Sequence, residues 1–91
     1  MASQASFTLS PNTSTKVAPI TAGDTWNTVT IENISTAAVV YVTAAGTANN
    51  TQALLKNGVR LNPGGGTWIT ATAGPIYAVS NLGATVTVTQ L

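Results

Sequence analysis

Apolar side chains recur at every second position in several short windows of this chain. Ala5, Phe7 and Leu9 alternate with Ser6, Thr8 and Ser10, a period of two that puts apolar groups on one face of a strand and hydroxyls on the other. Val29 and Ile31 alternate with Thr28, Thr30 and Glu32 inside a strand expected over 26–33, and Ala84, Val86 and Val88 alternate with Thr85, Thr87 and Thr89 near the end of the chain. Other windows differ in character. Residues 15–20 form a weaker strand candidate, restricted to an edge or a bulge by Pro19. Residues 38–43, AVVYVT, are apolar at consecutive positions, which predicts a central strand covered on both faces, the second by a sheet edge or by another subunit.

Turn chemistry punctuates these windows. Pro11-Asn12, Ala22-Gly23-Asp24 and residues 33–36 end strands, and residues 44–50, AAGTANN, have loop composition. Residues 51–56 read as one helical turn or a short strand, and Asn57-Gly58 as a type I′ hairpin turn flanked by Leu54, Leu55, Val59 and Leu61. The stretch from Gly58 to Asn81 is the most sharply divided. Leu61 closes an apolar run, Asn62-Pro63-Gly64-Gly65-Gly66 breaks it, residues 68–72 extend again, and Gly74-Pro75 turns the chain into residues 76–79. Proline offers no amide hydrogen to a ladder, and glycine reaches the positive φ angles that turns require. Asn81-Leu82-Gly83 turns once more before the final strand. Seven to nine short strands with turns at this spacing predict an all-β fold, a small antiparallel sandwich or barrel, jelly-roll-like. Residues 1–91 are expected as one β-sandwich domain, with 1–10 an extended N-terminal strand or arm; no sustained helical period and no solenoid repeat is present.

Composition changes this picture in one respect. Hydrophobic residues make up 44% of the 91, but 14 of them are alanine, so the bulky interior is thin for a domain near the lower limit of independent folding. Cysteine is absent, which removes disulfides and thiolate metal sites as sources of stability. Small chains short of core commonly self-associate, and a homo-oligomer is expected. Charged residues are only 5%, namely Lys16, Asp24, Glu32, Lys56 and Arg60. A net charge of +1 without a basic cluster offers little counterion release, so nucleic acid is not an expected partner. The same low charge and high apolar content argue against disorder. Solvation falls to 17 threonines, 8 asparagines and the serines. No window is long and apolar enough for a helical membrane span, so no membrane partner is expected. The first residues lack the basic and apolar regions of a secretory signal. Use without signal-directed export is therefore expected, and the triplets at Asn12, Asn33 and Asn49 are not expected to carry glycans.

Candidate chemistry is sparse. Histidine is absent along with cysteine, removing the usual general base and the thiol nucleophile. Asp24 and Glu32 could in principle form a glycosidase pair or contribute to a calcium site; their turn and strand contexts favour two solvated carboxylates. Gly64-Gly65-Gly66 lacks the following GK[ST] of a phosphate loop and reads as a strand connection. No catalytic residue, metal or cofactor is therefore expected. The threonine rows fit strand propensity and cross-strand hydroxyl pairing; ordering of ice or water is a minor alternative without an even repeat to support it. Trp26, Tyr41, Trp68 and Tyr77 are the candidate interface or ligand contacts. Trp68 shares a strand face with Thr70 and Thr72 while Ile69 shares the other with Ala71. An outward threonine face would expose the tryptophan as an interface anchor, whereas a bulge at Gly66 would turn it into the core. Trp26, Tyr41 and Tyr77 carry the same ambiguity.

The order of motifs adds a resemblance. Val29-Thr30-Ile31-Glu32-Asn33, Val40-Tyr41-Val42, Gly58-Val59-Arg60-Leu61-Asn62-Pro63-Gly64-Gly65, Gly74-Pro75-Ile76-Tyr77-Ala78-Val79-Ser80 and Thr85-Val86-Thr87-Val88-Thr89 together resemble a pattern in small structural proteins of tailed bacteriophages. The likeness spans 26–90. It implies a small β-sandwich attached to the outer surface of a virion, a capsid decoration or cement protein, with the major capsid protein and further copies of itself, in trimers, as partners. It implies no catalytic residue. A carbohydrate- or receptor-binding module, with Trp26, Trp68 or Tyr77 stacking on sugars, is the competing expectation, and an enzyme is the weakest.

Overall fold

A computed structural model of the chain describes residues 3–44, 58–71 and 74–91. Among the described residues eight strands follow one another: β1 (Ser3–Leu9), β2 (Thr15–Ala18), β3 (Val29–Asn33), β4 (Val40–Thr43), β5 (Val59–Leu61), β6 (Gly66–Thr70), β7 (Ile76–Val79) and β8 (Ala84–Gln90). They form two four-stranded sheets, of order β1-β8-β3-β6 and β2-β7-β4-β5; we call these sheets A and B. Every pairing is antiparallel.

This order has a simple generator. β4 pairs β5, β3 pairs β6, β2 pairs β7 and β1 pairs β8, so the first half of the chain runs as a ribbon against the second half. Rolling that ribbon brings β3 against β8 and β4 against β7, which closes the sheets. The result is a jelly roll, the double-sheet solution to burying one face of many short strands. The all-β sandwich expected from the alternation is thus the observed architecture.

The inward positions follow the period of two. Val29, Ile31 and Asn33 of β3 are buried, as are Ala84, Val86, Val88 and Gln90 of β8. Val40 and Val42 of β4, Ile76 and Ala78 of β7, Leu9, Val17 and Leu61 complete the interior. Alanine fills positions 18, 38, 78 and 84 of this core, and valine supplies most of its bulk. β4 lies between β7 and β5, an interior place in its sheet.

Some boundaries shift from expectation. The strand expected over 26–33 begins at Val29, although Leu91 N donates to Thr28 O at 2.8 Å and Asn27 N donates to Leu91 O at 3.3 Å, so pairing with the chain end continues beyond it. The strand expected over 38–43 begins at Val40, and that over 68–72 occupies Gly66–Thr70. β2 has the expected edge position and an irregular register between Lys16 and Ala18, with Pro19 just beyond its end. The expectations for 51–56 and for the turn at Asn57, with most of 44–50, lie outside the described residues.

Candidate interaction surfaces

Cross-strand register decides which side chains share a surface, and it arranges the outer face of sheet A in rows. Gln4, Thr89, Thr30 and Ile69 are successive partners across β1, β8, β3 and β6. Ser6, Thr87, Glu32 and Thr67 form the next row, and Thr8 opposite Thr85 begins a third. Neighbouring strands lie about 4.8 Å apart. The threonines scattered in sequence therefore become one hydroxyl-rich face, aligned by pairing rather than by any repeat. Ile69, 65% exposed, is its apolar exception.

Both tryptophans face the other way. Trp68 pairs with Ile31 and Thr70 with Val29, and partners across a ladder project to the same side. Trp68 and Thr70 therefore lie on the inward face and Ile69 on the outward one. Of the two registers open from sequence, the core orientation is adopted. Trp68 and Trp26 are half-buried and pack against the apolar core.

Tyr41 and Tyr77 lie instead on the outer face of sheet B. Tyr41 stands between Val79 and Arg60, and Tyr77 between Thr43 and Lys16. Each tyrosine thus has a cation on a neighbouring strand. Val79 shares this face and is fully buried although it is not part of the core cluster, so this face is not uniformly open to water. At the end of the sheet Ala37, Val39, Tyr41, Ser80, Asn81 and Leu82 line a concavity of about 320 Å³. It joins an aromatic ring, an exposed amide and an exposed leucine.

Two buried amides escaped the sequence reading. Asn33 Nδ2 donates to Ala38 O at 2.7 Å and Leu61 O at 3.0 Å, while its Oδ1 accepts from Ser35 N at 3.0 Å. One side chain at the end of β3 therefore ties sheet A to the entry of β4 and to β5. Gln90 does the same at the opposite end of the β3–β8 pair: its Oε1 accepts from Ile20 N at 2.7 Å and its Nε2 donates to Asp24 Oδ2 at 2.9 Å. The signal was present in sequence, since Asn33 is in phase with Val29 and Ile31, and Gln90 with Val86 and Val88.

The carboxylates occupy different settings. Asp24 also accepts from Thr21 N at 3.1 Å and holds its own loop, whereas Glu32 lies among Thr87 and Thr67 on the outer face of sheet A. No group of three His, Cys, Asp or Glu that could hold a metal occurs among the described residues. Gly64 N donates to Ser35 O, Gly65 N to Asn33 O and Gly66 N to Asn62 O, at 2.8, 2.9 and 3.0 Å. All three amides are engaged within the protein, which is the arrangement of a strand connector and leaves none to cradle a phosphate. Among the described residues, no helix is long and apolar enough to cross a membrane. No family model, curated protein or solved structure matches the chain.

Proposed function

We propose that this chain is a non-enzymatic structural component of a virion, a capsid decoration (cement) protein that binds the outer surface of the shell as a homotrimer contacting the major capsid protein. The observation that carries this reading is the rolled eight-strand sandwich whose polar side chains are spent on anchoring loops and coating one face with hydroxyls. Jelly rolls recur in viral shells, although a fold by itself does not define an activity. The motif resemblance over 26–90 points the same way. Low charge suits a protein whose task is to lie against many neighbours by short-range contact.

Genomic position and binding together test this. A gene beside one for a major capsid protein is expected, with saturable co-sedimentation on empty capsids assembled from that protein and a protomer ratio set by three-fold sites. A gene in a non-viral setting, or no binding to such capsids, would overturn the reading.

The concavity beside Tyr41 favours a second reading, a carbohydrate- or receptor-binding module of a phage tail or fibre. Jelly rolls also include lectin domains, and an aromatic ring beside the Asn81 amide could stack on a sugar and bond its hydroxyls. With both tryptophans packed against the core, such binding falls to the tyrosines on the outer face of sheet B, of which Tyr41 lines the concavity. A glycan array should then give hits that Tyr41→Ala and Asn81→Ala abolish; an array without hits disposes of this reading.

A further inference from the structure

The four edge strands of the sandwich are not equally protected against pairing with other chains. An open edge is a row of free amides and carbonyls, usually blunted by charge, proline, brevity or a bulge. Sheet B follows that rule on both sides. β2 has four residues, carries exposed Lys16 and is irregular after it, and Pro19 follows; β5 has three residues with Arg60 in the middle. Sheet A does not. β6 is neutral but only five residues long, and it emerges from a connector bonded back to Asn33 and Ser35. β1 is the longest edge, seven residues of SQASFTL without charge, proline or register shift, and among the described residues it pairs with β8 alone.

We infer that the edge of β1 away from β8 pairs with β1 of a second copy of this chain, antiparallel about a two-fold axis centred on Ser6, joining two A sheets into one of eight strands. This contact is separate from the virion reading and from any three-fold association.

Three features of β1 specify the occupant. Antiparallel partners centred on Ser6 have residue numbers that sum to an even value, so each side chain meets one on its own face. Ser6 then lies opposite Ser6 of the other copy, Gln4 opposite Thr8, and Ala5 opposite Phe7. Polar meets polar outside and apolar meets apolar inside; a register one residue away would break this on every pair. Phe7 packs against the core but stays half-buried at the margin of the sheet, and the facing Ala5 would cover it. Charge also fits. A neutral strand sets no like charges against each other across the two-fold axis, and the first ionisable side chain is Lys16.

Size sets the strength. Seven residues at about 3.4 Å each give an edge of ~24 Å. Across the smallest Cα extent of 17 Å that is roughly 400 Å² per copy, below the roughly 800 Å² per partner of a stable interface and in the range of weak, transient contacts. The pair is therefore reversible and favoured where copies are concentrated.

Single-cysteine crosslinking tests the geometry, because the chain has no other cysteine. Under mild oxidation at high micromolar concentration Ser6→Cys should give a covalent dimer. Thr30→Cys, on the same face two strands inward, should not. A mixture of Gln4→Cys and Thr8→Cys should crosslink more than either alone. Ser6→Lys, at an exposed position, should keep the wild-type circular dichroism spectrum yet lose the doubling of mass with concentration, whatever the mass of the unit that doubles. Crosslinking of Ser6→Cys no greater than that of Thr30→Cys, equal yields in the mixture and its components, or a doubling of mass with concentration that survives Ser6→Lys would each overturn the inference. Capsid binding by Ser6→Lys reads the virion proposal separately, since a chain that cannot pair through β1 keeps its other faces.

Discussion

Replacing Asn33 should damage the fold more than its position at a strand end suggests. Its side chain is fully buried and satisfies Ala38 O, Leu61 O and Ser35 N. Asn33→Ala orphans all three. Each buried group left without a partner costs about 1–3 kcal/mol, and the carbonyls recover part of that by relaxing toward other donors, so a total of about 3–5 kcal/mol is expected. At roughly 0.05–0.15 kcal/mol per residue, a chain of 91 residues has ~5–14 kcal/mol to lose. Urea denaturation should therefore show a much earlier midpoint at unchanged slope. Asn33→Asp sharpens the test. The new carboxylate would face two carbonyl oxygens at the distances the amide now spans, 2.7 and 3.0 Å. Only its protonated form could donate to either, so its folded-state pKa is raised above the ordinary value of about 3.9. The folded protein then holds a proton that the unfolded chain releases, and stability falls as pH rises from about 4 through the raised folded pKa, levelling off above it. Referred to wild type at each pH, Asn33→Asp should approach wild type below pH 4, short of it by one hydrogen bond, and be severely destabilised at pH 7. A penalty that does not vary with pH, or an Asn33→Ala cost below about 1 kcal/mol, would refute the role assigned to this amide.

Gln90→Ala removes the partner of Ile20 N and of Asp24; amide exchange at Ile20 and Thr21 should accelerate well beyond any global change, and unchanged protection there would contradict the anchor. At Gly66 an added Cβ would lie 2.5 Å from both N and O of Asn62, so Gly66→Ala should cost about 3 kcal/mol or more. Gly64→Ala, at φ 81° but in open space, should cost only about 1–2 kcal/mol, and similar melting temperatures for these two variants would refute the packing argument. Trp68→Ala should lose about 3 kcal/mol, the lower part of the range for core aromatics because the ring is half-buried. Ile69→Ser should stay within about 0.5 kcal/mol of wild type, and the reverse ranking in chemical denaturation would mean that β6 is shifted by one residue.

Those contrasts mark where the sequence was legible. β1, β3 and β8 were readable because one face is dry and the other wet, which leaves a period of two in the composition itself. β6 was ambiguous because Thr-Trp-Ile-Thr has apolar groups on both faces; its orientation is fixed by pairing with Ile31 and Val29, a fact about another strand. Asn33 and Gln90 were hidden by residue type. A polar residue at the end of a strand suggests a turn, yet phase alone placed both inward, and the loops bonded to them come from distant parts of the chain. The concavity at Tyr41 joins residues before and within β4 to residues after β7, and no local pattern announces such a meeting. The hydroxyl rows on sheet A were visible strand by strand, but their alignment required the register.

With five charged side chains and a net charge of +1, long-range repulsion between molecules is weak, and charge does little to keep them apart or to orient them. Selection among contacts then falls to features that act at touching distance. Lys16 and Arg60 both lie on edge strands of sheet B, opposite the two tyrosines, so the few cations present serve where an open edge would otherwise be exposed. Among the described residues no cation lies on a strand of sheet A. A chain this poor in charge that commits two of its three cations to the edges of one sheet thereby directs association toward the other, and the length and neutrality of β1 make that strand the place where contact is least opposed.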